Sequence, residues 1–188
     1  MSFSGTATGF GSLALGRESQ ATASNAVALG PLSLATSISD LAIGTGATAS
    51  GGGSIAVGNA DSTATYAVAI GFSASASGDF AVAIGHQADS TANYAIGLGY
   101  NAKADKVRSA AIGNDSSATH TAAMALGSGA ITSADYQIAL GSASASVAIL
   151  IASLPNTSSY ADDAAAAIGG VLVGELYRTD SIVKIRIS

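Results

Sequence analysis

The stretch Ala67-Val68-Ala69-Ile70-Gly71 decides the fold, because the same phrase returns at residues 81–85 and, with small changes, eight more times. The glycines that close these phrases stand 14 residues apart, except for one interval of 13 between Gly58 and Gly71. A repeat of this length is too short for a helix pair or a propeller blade, but it suits one coil of a β-solenoid with two short strands and two turns. The ten closing glycines are Gly16, Gly30, Gly44, Gly58, Gly71, Gly85, Gly99, Gly113, Gly127 and Gly141.

Each phrase holds two large aliphatic residues that flank a small one, as Val82 and Ile84 flank Ala83. Side chains alternate across a strand, so the aliphatic pair points to one face and the small residue to the other. We expect the aliphatic pair to fill the coil and to meet small residues of the second strand. The alanine row then lies outside, where a neighbouring copy is its simplest cover. The predicted trimer-packing residues are Ala28, Ala42, Ala56, Ala69, Ala83, Ala111, Ala125 and Ala139.

The composition excludes several classes of protein. The 188 residues include 42 Ala, 28 Ser and 23 Gly, so about half of the positions carry a very small side chain or none. Such a chain cannot fill an ordinary globular core. A hydrophobic share of 48 % disfavours disorder, and the glycines lack the every-third-residue spacing of collagen. Cysteine is absent, which excludes disulfides and thiol chemistry. The longest apolar stretch, residues 164–174, is too short to span a membrane, so we expect no membrane insertion.

The phrases AVAIG and AVALG, each followed by small residues at alternate positions, resemble the head repeats of the YadA-like trimeric autotransporter adhesins. The resemblance covers about residues 11 to 148. It implies an all-β fold, a left-handed parallel β-roll (β-solenoid) of about ten 14-residue coils, and a homotrimer. The signal peptide, the stalk heptads and the membrane-anchor strands of that family are not found in this sequence, so we expect a head without stalk or anchor.

The segment from Leu154 onward has a different character and resembles a C-terminal module that recurs in tailed-phage fibre and other virion proteins. Ser158 or Ser159 can cap a short helix that runs through Ala167, and two strands then flank a Thr179-Asp180 turn. Alternation in the last strand places Val183, Ile185 and Ile187 on its packing face. We therefore predict three parts: an N-terminal arm at 1–10, the β-roll repeats at 11–153 and a helix plus β-hairpin module at 154–188.

Two aromatic columns emerge when the repeats are stacked. The first lies five residues before the closing glycine and the second one residue after it, so members of a column should sit one above another. Such a column is either a stacking platform for a receptor sugar or a self-stacking ladder that covers the coil edge, and the ladder is favoured. The candidate receptor-contact residues are Tyr66, Phe80 and Tyr94 in the first column, joined later by Tyr136, and Phe72, His86 and Tyr100 in the second.

Other chemistry has little support in the sequence. From Glu18 to Ala102 there are acids but no Lys or Arg, which argues against nucleic acid as a partner. The basic cluster Lys103, Lys106 and Arg108 around Asp105 is interpreted as a solvated turn. His86 and His120 are 34 residues apart with no recurring acid beside them, so no metal and no cofactor is predicted. Asp79 and Asp135 share a register position but lie four coils apart, too far for a glycosidase pair, and no catalytic residue is predicted.

These observations predict a non-enzymatic, homotrimeric fibre or decoration protein of a tailed phage. It would be made in the host cytoplasm and displayed on the exterior of the virion, as a tail or head fibre. Its partners would be its own copies, another virion protein at one end and a host-surface glycan or protein. The alternatives are a trimeric autotransporter adhesin head, a tailspike enzyme and an ice-binding solenoid. The last needs a Thr-x-Thr column, whereas Thr22, Thr36, Thr48 and Thr65 are expected to fall out of register.

Overall fold

A computed structural model of the protein describes residues 4–142 and, further along the chain, the strands at 176–179 and 182–185. The chain divides into two compact units, Met1–Val147 and Ala148–Ser188, which are described separately. All elements in the described parts are strands, which confirms the predicted all-β class for those parts. In the same parts, no helix has the length and hydropathy that a membrane crossing requires.

The repeated phrases form a ten-stranded parallel sheet, here called the phrase sheet. Each strand pairs with the phrase one repeat away, so that Val68 lies between Ile55 and Val82. The fixed spacing of the glycines thus becomes a fixed register between coils. The strands are β2 (Leu13–Leu15), β4 (Val27–Leu29), β6 (Leu41–Ile43), β8 (Ile55–Val57), β10 (Val68–Ile70), β12 (Val82–Ile84), β14 (Ile96–Leu98), β16 (Ala110–Ile112), β18 (Met124–Leu126) and β19 (Ile138–Leu140).

The second strand of each coil belongs to a nine-stranded parallel sheet, here called the polar sheet. Nine coils contribute one strand to each sheet, and in the last coil an isolated bridge from Ile131 to Ser117 stands in for the polar-sheet strand. The predicted β-solenoid of about ten coils is confirmed. The polar sheet begins with Thr6 and Ala7, so the solenoid starts within the residues predicted as an arm. Its strands are β1 (Thr6–Ala7), β3 (Gln20–Ala21), β5 (Leu34–Ala35), β7 (Thr48–Ala49), β9 (Asp61–Ser62), β11 (Ser75–Ala76), β13 (Asp89–Ser90), β15 (Lys103–Ala104) and β17 (Ser117–Ala118).

The one short repeat is absorbed in a turn. The polar-sheet strand begins four residues after Gly44, at Thr48, but only three residues after Gly58, at Asp61. Thr48 nevertheless pairs with Asp61, and Ala49 with Ser62. The deletion therefore leaves the register of both sheets intact.

The interior of the coil corrects the sequence prediction. The phrase alanines predicted to pack between copies point into the coil: Ala28, Ala42, Ala56, Ala69, Ala83, Ala111 and Ala125 are all 0 % exposed, and Ala139 in the last coil is partly buried. They meet alanines and serines of the polar sheet, of which Ala21, Ala35, Ala49, Ser62, Ala76, Ser90, Ala104 and Ala118 are likewise fully buried. The large aliphatic residues face outward instead.

The physical reason is the narrow gap between the two strands of a coil. Near Gly97, which replaces the usual alanine, a Cβ atom would lie 2.9 Å from the Ser90 Oγ atom. The Ser90 hydroxyl occupies that space and donates to the Val82 carbonyl at 2.8 Å. A gap in which one extra methyl group is already tight cannot hold valine or isoleucine.

The closing glycines have a positive φ at the corner of the coil, with 136° at Gly85 and 125° at Gly30. Each also faces the next corner at close range, since a Cβ on Gly85 would lie 2.3 Å from the Gly99 carbonyl oxygen. Glycine is therefore required there by both backbone conformation and space.

The second unit contains an antiparallel hairpin of β20 (Leu176–Thr179) and β21 (Ile182–Ile185), in which Thr179 pairs with Ile182. The sequence prediction placed Thr179 in the turn between the two strands, whereas Thr179 is a paired residue of β20. The helix expected before it, and the packing of Val183, Ile185 and Ile187, lie outside what the structure describes.

The interior position of Ala83 can be tested by Ala83→Leu. We expect this variant to lose about 1 to 3 kcal/mol or more of unfolding free energy, because an overpacked interior is strained. Denaturant unfolding would measure the loss, with Ala134→Leu at an exposed turn as the matched control. A variant that is as stable as the parent but no longer associates would restore the interface interpretation of the alanine row.

Candidate functional site

The outer face of the phrase sheet carries two rows of large aliphatic side chains, most of which stay partly or well exposed within residues 4–142. The exposed fraction is 36 % for Ile84 and 41 % for Leu126. Within the two rows, only Ala110 has a side chain as small as those of the coil interior. This surface is here called the aliphatic face. Its first row is Leu13, Val27, Leu41, Ile55, Val68, Val82, Ile96, Ala110, Met124 and Ile138, and its second row is Leu15, Leu29, Ile43, Val57, Ile70, Ile84, Leu98, Ile112, Leu126 and Leu140.

The first aromatic column lies along one edge of the aliphatic face, in the turn that enters each phrase strand. The ring centroids of Tyr66 and Phe80 are 5.4 Å apart, and those of Phe80 and Tyr94 are 5.3 Å apart with planes only 1° from parallel. The column begins over Gly53, where an added Cβ would lie 2.8 Å from the Tyr66 ring. Tyr136 occupies the same position three coils later and is more exposed, at 79 %.

The backbone of this column is strained. Tyr66, Phe80 and Tyr94 have φ values of 55°, 58° and 61°, in the left-handed region that bulky side chains rarely adopt. Other coils build the same turn with Asn25 and Ser39, at φ values of 58° and 60°. The aromatic side chains are therefore not needed to form the turn.

The second aromatic column lies along the opposite edge, in the turn that leaves the phrase strand. The ring of His86 stacks between Phe72 at 5.4 Å and Tyr100 at 5.2 Å. These three residues lack the positive φ, which falls instead on the next residue, as at Gln87. Both columns occupy the same three coils, those that close at Gly71, Gly85 and Gly99.

The stacking favours a ladder over a sugar platform. A sugar ring stacks on the face of an aromatic ring, but within each column the faces are turned toward neighbouring rings. About half of the surface stays exposed at Tyr66, Phe72, Phe80, Tyr94 and Tyr100. The two columns thus extend the aliphatic face on both sides rather than offering a row of open stacking sites.

The remaining candidates serve local structure. Lys103 lies in β15 of the polar sheet rather than in the predicted turn, and it forms an ion pair with the partly buried Asp105 at 3.1 Å. Burial raises the pKa of the nearby Asp89 carboxyl, the Asp105 carboxylate raises it further, and Lys103 lowers it in part. Asp79 and Asp135 accept backbone N–H bonds from the preceding coil, at 3.1 and 2.8 Å. These carboxylates hold turns in place.

The histidines stand apart from any cluster of metal ligands. His86 lies in the second column, while the Nδ1 atom of His120 is 3.2 Å from the Thr132 hydroxyl and 3.3 Å from the Thr119 hydroxyl. Over residues 4–142, no three side chains of the metal-binding types come together.

Sequence reasoning missed one buried carboxylate. Asp40 is 1 % exposed and accepts bonds from the backbone N–H groups of Ser37, Gly52 and Ser54 and from the Ser54 hydroxyl, at 2.8 to 3.0 Å. The position of Asp40 in the repeat holds alanine in most other coils. An acidic residue at this position is therefore the sequence signal that could have identified the buried carboxylate. Four donors satisfy the carboxylate, which ties down the glycine-rich turn at 51–53.

The threonine pattern on the polar sheet also differs from expectation. Thr22 and Thr36 are in register, since Ala21 pairs with Ala35, and they continue a hydroxyl column that starts at Thr8. The adjacent outward column contains Gln20 and Lys103 and so is not a second threonine row. The Thr-x-Thr array that an ice-binding surface needs is not formed by these strands.

Comparison with known proteins connects this geometry to a family. The family model described as "YadA head domain repeat (2 copies)" matches residues 7–33, 35–60, 62–88, 90–116 and 118–144, more than half of the chain. Among solved structures, the crystal structure of the collagen-binding domain of the Yersinia adhesin YadA is similar, at 27 % sequence identity and a TM-score of 0.49. That match covers 84 % of this chain and 78 % of the other. No curated protein matches the chain.

The strain in the first column predicts a difference between two variants of Phe80. Phe80→Asn removes two ring stacks but relieves the left-handed strain, so its unfolding free energy should change by no more than about 1 kcal/mol. Phe80→Val loses the same stacks and puts a β-branched residue at that φ, so it should be less stable than the asparagine variant by about 1 to 2 kcal/mol. Equal stability of the two variants in urea unfolding would contradict the assigned backbone conformation.

Proposed function

The chain belongs to the YadA head-repeat family, and from that premise we propose that it is the head of a homotrimeric surface adhesin. Three copies pack their aliphatic faces together, and the polar sheets stay outside to meet the attachment surface. The observation that carries the proposal is the aliphatic face itself, a two-row apolar surface along ten successive strands that residues 4–142 of one copy leave partly exposed.

The size of the aliphatic face fits an interface. Ten strands at ~4.8 Å and a width of about seven extended residues at ~3.3 Å, with the two edges included, give roughly 1,100 Å². A standard stable interface takes about 800 Å² from each partner, whereas the largest apolar patch on a typical monomer is about 300–600 Å². Left uncovered, this face would be an aggregation site.

A second copy also fits the face by its period. The rows repeat at strand spacing, and an identical solenoid presents rows at the same spacing, so side chains can interlock along the whole length. Each copy then covers parts of two others in a closed ring, which satisfies every face without leaving an open end to the assembly.

The family match supports the adhesin alternative over the phage fibre. The phage interpretation depended on the segment from Leu154, most of which lies outside the described residues, and no comparison supports it. The virion location and the virion partner therefore stay predictions from sequence. The absence of enzymatic activity and of a cofactor likewise stays a prediction, and adhesin-like families are typically non-enzymatic.

The interface can be tested with Ile84→Asp, which places a carboxylate at the centre of the aliphatic face. We expect light scattering to give the mass of a trimer for the parent and of a monomer for the variant, because three buried carboxylates without partners would repel one another. Ser77→Asp, at an exposed position directly after β11, is the control and should remain a trimer. A parent that is a stable monomer would refute the assembly.

The adhesive role predicts a difference in retention. The purified trimer should stay bound to cell monolayers or their decellularised matrix at least about a hundredfold longer than the Ile84→Asp monomer, since linked weak sites gain 10²- to 10⁴-fold in avidity. Surface plasmon resonance on matrix-coated chips would measure this, with an albumin-coated chip as the blank. Equal release of trimer and monomer, or no binding of either, would contradict the adhesin proposal.

A further inference from the structure

We propose that the two aromatic columns fix the axial register between neighbouring copies, an inference that rests on the proposed trimer. The columns are Tyr66, Phe80 and Tyr94 on one edge of the aliphatic face and Phe72, His86 and Tyr100 on the other.

The aliphatic face alone specifies register poorly. Both rows carry similar aliphatic side chains in nearly every coil. A slide of one coil, ~4.8 Å, therefore replaces each contact by a similar one, and only one of the ten coils loses its contact. Register slips of this kind are the usual failure of repetitive β-surfaces. A feature confined to a few coils is needed to distinguish the aligned trimer from its slipped forms.

The aromatic columns are such a feature, and their placement points to a partner. Along the described strands, the ring contacts run only within each column, never from one edge of the face to the other. Stacking within a chain therefore explains each column but gives no reason for both to occupy the same three coils. In a closed ring of copies, the first edge of each face meets the second edge of the next copy, so the two columns come together at every seam.

The backbone strain supports a role beyond the turn. Asn25 and Ser39 hold the same left-handed turn without a ring, yet Tyr66, Phe80 and Tyr94 keep large side chains at that conformation. Strained residues persist where the surrounding structure or a function requires them. At a seam, these rings would pack against the opposite column only when the copies are aligned.

A slide of one copy by one coil would remove one of the three aromatic rungs at each of the two seams of that copy. The displaced ring would face the asparagine that continues the second column, Asn59 at one end or Asn114 at the other. In a closed ring, a slid copy shifts the two seams that it shares with its neighbours in opposite directions, while the third seam stays aligned. Rungs are lost at both shifted seams, so the aligned state is favoured over either slipped neighbour.

Cysteine pairs can report the register, because the chain contains no cysteine of its own. Ser39→Cys, at the first-column position of the third coil, is combined in turn with Pro31→Cys, Thr45→Cys and Asn59→Cys, at the second-column positions of the second, third and fourth coils. The two edges of one face are six residues apart in extended chain, too far for a bond within a copy. Denaturing gels without reductant then give the yield of linked copies for each pair.

The parent should link through one pair with a yield at least about tenfold above the weakest pair, because a shift of one coil exceeds the reach of a disulfide. In the second arm, all six aromatic-column residues are changed to asparagine, which the chain itself uses at Asn25 and Asn59. That variant should remain a trimer and link through all three pairs with yields within about twofold of one another, as slipped forms become populated.

A control variant removes apolar area and keeps the columns, by changing Met124, Leu126, Ile138 and Leu140 to alanine. It should associate more weakly but keep the yield profile of the parent. Light scattering on the cysteine-free parent comes first: a monomer refutes the trimer and this inference together. A trimeric parent with a flat profile, or an asparagine variant whose profile is as peaked as that of the parent, overturns the register role alone.

Discussion

Alanine packed against alanine and serine inside each coil is the contact on which the rest of the molecule depends. The gap between the two strands admits methyl and hydroxymethyl groups, as the close approach between Gly97 and Ser90 shows. The branched residues must therefore point outward, which creates the aliphatic face. Small interior groups bury little apolar area per coil, so one coil cannot stand alone, and stability arises from stacking many coils on one another.

Much of the fold follows from the spacing of a few residues. The interval between Gly71 and Gly85 predicts both the coil and the register, and alternation around Ala83 predicts two opposite faces. The direction of those faces was predicted wrongly, because hydrophobicity alone places the larger residues inside. The width of the coil decides which face points inward. The two short turns set this width, and it cannot be inferred from the composition. The glycine at position 97, opposite a serine at position 90, was the one hint of that width.

The site was predictable to a similar degree. Position in the repeat predicted that Tyr66 and Phe80 lie one above the other, and the structure adds that their rings stack and that their backbone is left-handed. Neither the strain nor the near-parallel planes can be read from spacing, since both depend on how a turn meets its neighbour. Asp40 shows the same limit: an acid among alanines marks an exception, but its four donors become visible only when the coils are stacked.

The parallel stacking of coils also determines how the solenoid responds to tension along its axis. Over residues 4–142, the hydrogen bonds between coils join each coil to the coils directly above and below it, so a pull on one end opens the terminal rungs in succession rather than all at once. A detached 14-residue coil lengthens from ~4.8 Å to about 45 Å of extended chain. Such a molecule would extend in steps under a sudden load, because each detached coil adds length to the chain. This property would suit a molecule that links two surfaces under flow.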